Sequence, residues 1–247
     1  MVLGEGHQRF IQTMMIRGIV NEQEAKTLHQ HCCEVHKEHY VADKLEEFIQ
    51  VVNSKLEALN MQIRTRASED NGMTCYALVN TANNELTRMS SDYADNELEL
   101  FRRTMDLIMS SDDSTASSTD ILNMADSLQT RKLTKSAAEC LLKRMVSDNW
   151  LVEKQGDYSL STRCVMDMEP YIRTMYDEEQ VKVCAVCHCL AFKYQICANP
   201  LCTVKIHNPC AEKYFKKKAV QRCPGCSELW PNKVRAECRQ SLSQRQR

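Results

Sequence analysis

Eight residues with metal-ligating side chains stand in order in the last quarter of the chain: Cys184, Cys187, Cys197, Cys202, His207, Cys210, Cys223 and Cys226. They pair as C-x2-C, C-x4-C, H-x2-C and C-x2-C. A two-residue gap lets one tight loop offer two thiolates to the same ion, and two tetrahedral zinc ions need eight such ligands. One pair is a weak signal. Four pairs in series restrict the segment to a small set of folds held together by two Zn2+ ions.

Cysteine use elsewhere agrees with this reading. The chain has 14 cysteines, and Met1 to His7 lacks the basic and apolar regions of a secretory signal. The expectation is thiolates bound to metal in a reducing compartment, not disulfides. No apolar run approaches the ~20 residues needed to span a bilayer, so no membrane association is expected. Six glycines and no phosphate-cradling Gly-rich loop argue against a nucleotide-dependent enzyme. A Cys-His-Asp hydrolase has no local signature here.

The net charge of -1 conceals an asymmetry. From Val181 onward there are 13 Lys and Arg against 3 Asp and Glu, whereas the rest of the chain has 19 against 30. An acidic body followed by a basic metal segment suggests different partners for the two parts. Lys216, Lys217 and Lys218 read equally well as a solvated face.

The body shows one plan twice. Phe10, Ile11, Met14 and Met15 mark a short amphipathic helix, and a second follows over roughly 22–35. Leu45, Phe48, Ile49, Val52 and Leu56 form one apolar stripe of a third. The period then changes: Met61 to Arg64 and Thr74 to Val79 read as strands, with Asn71-Gly72 as the turn signal. The second unit has a helix with Leu98, Phe101, Met105 and Ile108, then a polar loop over 110–119. Ser118, Thr119 or Asp120 is expected to cap the short helix that follows. Ala138, Leu141, Leu142, Met145 and Val146 mark its third helix. Trp150 to Val152 and Tyr158 to Leu160 form a hairpin across Gln155-Gly156-Asp157. Val165, Met168, Ile172 and Met175 mark a closing helix.

Three helices followed by a hairpin is the order of a winged helix. The expected fold is therefore mainly α with small β hairpins: tandem winged-helix domains over 1–90 and 91–178, a cross-brace zinc domain over 179–230, and a basic, flexible tail over 231–247. Winged helices often place their third helix in the DNA major groove. Arg131, Lys132, Lys135, Lys143 and Arg144 are the candidate phosphate contacts. Glu46, Glu47 and Glu57 on the first unit's third helix would repel a phosphate backbone, so protein–protein contact is the favoured use of the body.

In a cross-brace the pairs alternate between ions. Cys184, Cys187, His207 and Cys210 would hold one zinc; Cys197, Cys202, Cys223 and Cys226 would hold the other. Interleaving ties distant stretches together, so about 45 residues with little apolar core can fold. His188 and Cys189 are read as bystanders beside Cys187. His29, Cys32, Cys33 and His36 share a helical face but lack knuckle spacing, and read as a polar helix with buried thiols instead of a third site.

The ligand order resembles a PHD finger, but that fold's aromatic two residues before the seventh ligand is here Gln221. The Cys223-Pro224-Gly225-Cys226 knuckle and Val186 before the second ligand look instead like a RING domain. By that resemblance, Val186, Tyr214, Phe215 and Pro224 would form the shallow groove for a ubiquitin-conjugating enzyme, with one of the two aromatics packing on the zinc loops. Such a domain catalyses by positioning the ubiquitin thioester, with no catalytic residue of its own. The basic residue many RINGs carry after the last ligand is here Ser227, so weak, partner-dependent ligase activity is expected.

The two winged helices, the segments Asp43 to Ile49, Tyr76 to Asn80 and Asn96 to Arg102, and the RING with a single histidine as fifth ligand together resemble the non-SMC element 1 family. These are the RING-type subunits of SMC-five/six complexes. The resemblance covers the chain to about Pro231. The four-residue gap between Cys197 and Cys202 departs from the family's two, with Asn199-Pro200 as an insertion a loop can absorb. The resemblance implies an E3 ubiquitin ligase role in DNA repair and recombination, in the nucleus and on chromosomes. It further implies a heterodimer with a MAGE-family subunit through the winged helices, association with a kleisin, and DNA binding by the subcomplex. Two other readings stay open beside the ligase: a structural adaptor stiffened by zinc, and a chromatin or DNA reader.

Overall fold

A computed structural model describes residues 3–37, 39–81, 92–216, 218 and 220–231. All but the first residue of the expected tail over 231–247, Lys217, and the expected domain boundary at 90/91 lie outside these residues. The chain divides into two compact units. Unit 1 comprises Met1–Ser68 and Met73–Asp177; unit 2 comprises Glu69–Gly72 and Glu178–Arg247.

Unit 1 opens with α1 (Glu5–Arg17), β1 (Ile19–Asn21), α2 (Glu22–Val35), α3 (Leu45–Leu56), β2 (Met61–Ala67) and β3 (Thr74–Asn80). Gly18 ends α1 with φ 72°, a left-handed turn that also brings its backbone against Arg163. Asn21 closes β1 and caps α2: its side chain accepts the Glu24 N–H, and the Glu24 carboxylate accepts the Asn21 N–H in return. The expected stripe Leu45, Phe48, Ile49, Val52 and Leu56 is buried along α3. It packs on Phe10, Met14, Leu28 and Cys32 and on Ile63, Tyr76 and Leu78 of the sheet.

β3 lies between β1 and β2, antiparallel to both. Tyr76 and Leu78 face the helical core, while Ala77 and Val79 face the other way and pack with Met166. Both faces of β3 are covered, which is why its sequence is a continuous apolar run and not an alternation.

The same order then repeats: α4 (Asp95–Ser110), β4 (Ala116–Ser117), α5 (Ser118–Met124), α6 (Lys135–Ser147), β5 (Leu151–Lys154), β6 (Asp157–Leu160) and α7 (Thr162–Met175). Phe101, Met105, Ile108, Ile121, Leu142 and Met145 are buried. The cap of α5 is Ser117, whose hydroxyl accepts the Asp120 N–H, and not Ser118, Thr119 or Asp120. Those three are the helix's first residues, displaced one position because Ala116 and Ser117 pair with β6. Strands β1 and β4 are too short for a period of two to register in sequence; they complete two three-stranded sheets.

Helix α7 joins the two halves of unit 1. Met166 lies on β3, the Asn80 N–H donates to Asp167 at 3.1 Å, and Arg64 reaches the Met166 carbonyl at 3.4 Å. Arg66, 6% exposed in its side chain, pairs with Glu169 at 3.8 Å. A buried guanidinium needs such a partner.

Unit 2 has β7 (Tyr194–Ile196) paired antiparallel with β8 (Lys205–His207), followed by α8 (Asn208–Phe215). The architecture is mainly helical, with small antiparallel sheets and a C-terminal cysteine-rich, RING-like module.

Candidate metal centre

Two knuckles of the same design frame unit 2. In the first, Val183 bridges Leu190 and the Cys184 N–H donates to the Cys189 carbonyl; in the second, Arg222 bridges Leu229 and the Cys223 N–H donates to the Glu228 carbonyl. The residue after each second cysteine, His188 or Ser227, is left-handed, with φ 60° and 62°. That turn folds the chain back so that both thiols of a pair face one point. His188, a bystander by spacing, is thus a turn residue, as is Ser227.

Cys184 and Cys187 meet His207 and Cys210, while Cys197 and Cys202 meet Cys223 and Cys226; within each set all ligand atoms lie within 4.8 Å of one another. His207 ends β8 and Cys210 lies in the first turn of α8, so one strand–helix junction supplies both to the first cluster. The Cys187 and Cys210 sulfurs are 3.3 and 3.7 Å from His207 Nδ1. In the second cluster Cys197 lies 3.4 Å from Cys226, and Cys202 lies 3.7 Å from Cys223. Zinc–sulfur bonds of ~2.3 Å set the edges of a tetrahedron at roughly 3.5–3.8 Å. Each cluster therefore has the donors and size of a four-coordinate zinc site.

Asn199 absorbs the longer gap before Cys202. Its side chain accepts the Leu201 N–H and its carbonyl accepts the Cys202 N–H, both at 3.0 Å. The insertion forms a local turn, with Leu201 projecting 91% exposed, and Cys202 still reaches its cluster.

Backbone N–H groups converge on the sulfurs. Burial pushes the Cys184 thiol up, but the N–H groups of Cys187, His207 and Val186 outweigh it and bring it to about 7. The Glu228 N–H and neighbouring thiols bring Cys226 to about 7. Burial and the neighbouring thiols push Cys187 and Cys210 of the first cluster upward. In the second, against the N–H groups of Asn199 and Val204, they push Cys197 and Cys202 upward as well. Within each cluster one thiol is therefore the most readily converted to thiolate, the form that binds metal.

Around the clusters, Phe215 is 2% exposed and packs on Trp230, with ring centres 5.5 Å apart. Its place in the module core removes it from any docking groove. Val186 and Tyr214 are half-buried against the same core, and Pro224 is exposed. Lys218 lies 3.4 Å from the centre of the Tyr214 ring. Ser227 is exposed, and its carbonyl accepts a hydrogen bond from Arg222 at 3.0 Å.

Of the candidate DNA contacts in unit 1, Arg131, Lys132, Lys135 and Lys143 are exposed. Arg144 is exposed as well, and it pairs with Glu97 at 2.6 Å and lies over the Tyr93 ring at 4.5 Å. His29, Cys32 and Cys33 are buried in the unit 1 core, with the His29 ring 4.4 Å from Phe48, and His36 meets Glu5 at 3.0 Å. Among the described residues the groups able to hold a metal are the two clusters of unit 2.

The sequence signal missed one residue at the first cluster. Glu69, in the turn after β2, lies 3.3 Å from His207 Nε2. No spacing rule links positions so far apart.

Comparison with known proteins agrees with this architecture. Residues 184–226 match a RING-like domain. The non-structural maintenance of chromosomes element 1 homolog of Xenopus laevis is 47% identical over 232 residues, covering 94% of this chain and 85% of that protein. The Homo sapiens homolog is 42% identical over 233 residues, covering 94% and 86%. A chain of a solved Nse1-Nse3-Nse4 complex superposes with a TM-score of 0.85 at 46% identity, covering 95% of this chain and 100% of that one. Residues 7–168 match the family described as the Nse1 non-SMC component of SMC5-6 complex, and the chain belongs to that family.

Proposed function

We propose that this chain is a RING-type E3 ubiquitin ligase subunit of an SMC5-6 complex, acting on chromosomes in the nucleus in DNA repair and recombination. The observation that carries the reading is the pair of interleaved four-ligand clusters within the segment that matches a RING-like domain. Cys184, Cys187, His207 and Cys210 would hold one zinc, and Cys197, Cys202, Cys223 and Cys226 the other. The ions supply rigidity: each ties two distant stretches, so the knuckle loops keep a fixed relation.

The groove for a ubiquitin-conjugating enzyme is assigned to Val186, Tyr214 and Pro224. Their role is to hold the enzyme's thioester in an attack-ready arrangement. Tandem winged-helix domains over 1–90 and 91–178 are assigned to docking on a MAGE-family subunit, with a kleisin as third member. The solved relative's assembly with Nse3 and Nse4 supports this. Arg131, Lys132, Lys135, Lys143 and Arg144 are the residues through which the chain would add to DNA binding by the subcomplex.

Ser227 favours a second reading. It offers no cation beside the last ligand, which suits a structural adaptor with little activity alone. A ubiquitination assay over a panel of conjugating enzymes, with and without the MAGE-type subunit, separates the two. Chains formed by wild type and lost in Val186→Ala, with both zincs retained, support the ligase. Activity indifferent to Val186→Ala removes the groove assignment, and no activity in any combination favours the adaptor.

A further inference from the structure

The turn between β2 and β3, residues Glu69–Gly72, belongs to unit 2. The Glu69 carboxylate is 12% exposed. Its Oε2 accepts the N–H groups of Phe192 at 2.9 Å and Lys193 at 2.6 Å. Its Oε1 faces His207 Nε2 at 3.3 Å. That same nitrogen lies 2.9 Å from the Leu190 carbonyl. A carbonyl oxygen only accepts, so Nε2 carries the ring proton, and Nδ1 presents its lone pair to the side of Cys187 and Cys210. Asp70 pairs with Lys193 at 2.8 Å. Gly72, left-handed with φ 67°, lies so close to Pro209 that an added Cβ would come within 2.8 Å of it.

We propose that Glu69 is a positioning residue for the first ion: beside the Leu190 carbonyl that keeps the proton on Nε2, its carboxylate holds the His207 ring in the orientation that aims Nδ1 into the cluster. The proposal rests on reading Cys184, Cys187, His207 and Cys210 as zinc ligands. A carboxylate or carbonyl on the far nitrogen of a ligating histidine raises its basicity and fixes its ring, and loss of such a partner costs roughly 10–100-fold in metal affinity. Here the carboxylate comes from a turn 123 residues before its nearest backbone partner, Phe192. Metal retention in the C-terminal module thereby depends on a residue from the β2–β3 turn. The Cys197 cluster, built from thiols alone, has no such dependence.

The test uses the full chain and three variants: Glu69→Ala, Glu69→Gln and Asp70→Ala. Elemental analysis of wild type comes first, and fewer than two zincs per chain there would sink the ligand reading itself, whatever the variants do. Given two, competition with a chromogenic chelator reads the affinity of each ion, and 15N shifts of the His207 ring nitrogens read the tautomer. Glu69→Ala is expected to weaken one zinc about 10–100-fold, leave the other unchanged, and move the His207 ring shifts. Glu69→Gln, which keeps an acceptor oxygen without the charge, should fall between. Asp70→Ala breaks the turn's ion pair without touching His207 and should leave both affinities in place. Wild-type affinity and ring shifts in Glu69→Ala overturn the proposal. So does an equal loss in Asp70→Ala, which would make docking of the turn the cause.

Discussion

Replacing Cys210 with serine should unfold the zinc module and leave unit 1 standing. The buried core of unit 2 is Cys184, Ala191, Cys197, Ile206, Ala211, Phe215, Cys223 and Trp230. Three of these are cluster thiols and two are alanines. The large side chains are Ile206, Phe215 and Trp230, joined by the buried Leu190 and Phe192, and at ~1.5–3 kcal/mol each they contribute about 8–15 kcal/mol. A structural zinc site contributes an apparent ~10–16 kcal/mol. Losing the first ion therefore removes about as much as the whole apolar core supplies. Unit 1 shares no cluster ligand and has its own core around Phe10, Phe48 and Leu78. The spectroscopic consequence is small. Helix α8 has 8 residues, against 13, 14, 12 and 16 in α1, α2, α3 and α4. Loss of the module should lower the helical circular dichroism by roughly a tenth or less. Tryptophan fluorescence separates the units, because Trp150 lies in unit 1 and Trp230 in unit 2. In a Trp150→Phe background, Cys210→Ser should shift the remaining emission to the red. A loss of a third or more of the helical signal would refute the independence of unit 1. Retention of two zincs would refute the assignment of Cys210 as a ligand.

Two further outcomes follow from the geometry. Glu99 accepts the N–H groups of Gln129 and Thr130 and the Thr130 hydroxyl, and pairs with Arg103. Burial pushes its carboxyl up, but these partners outweigh that and hold it at about 2. The shift corresponds to about 3 kcal/mol, reduced to about 1–2 kcal/mol by solvent screening in the open cleft that Glu99 lines. Because the folded value is depressed, this stability is present above the unfolded value near 4.5 and is lost as pH falls towards 2. Glu99→Gln should lower unit 1 stability by that amount at pH 7 and flatten its loss between about pH 4.5 and 2 in urea titrations; an unchanged acid limb would contradict the assignment. Gly225 lies against Val204, and an added Cβ would come within 2.7 Å of its methyl group. Gly225→Ala should therefore destabilise the second knuckle by about 1–3 kcal/mol, read as faster release of one zinc to a chelator. A wild-type rate would show that the loop yields without strain.

The elements legible in the sequence are those whose signal is local. The α3 stripe, the two hairpins and the four ligand pairs each lie within about twenty residues, and each matches what the structure brings together. The interleaving of the clusters followed from the cross-brace reading, in which ligand pairs alternate between ions, and the two clusters group that way. What escaped was short or distant. Strands β1 and β4 have 3 and 2 residues, below the length at which a period shows. The cap of α5 moved to Ser117 because that residue belongs to a strand that only its pairing with β6 reveals.

Composition and spacing by themselves determined the eight candidate ligands, the order of helices and hairpins, and the split between an acidic body and a basic module. Tertiary structure decided which of two adjacent aromatics fills the module core: Phe215 against Trp230, with Tyr214 half-buried beside it. It decided that Arg144 pairs with Glu97, and that both faces of β3 are covered. It also decided that Glu69 stands behind His207. The physical reason is the same throughout. Helical and strand periods and ligand spacings are properties of neighbouring residues. Which groups exclude water from one another depends on where the folded chain places segments a hundred residues apart.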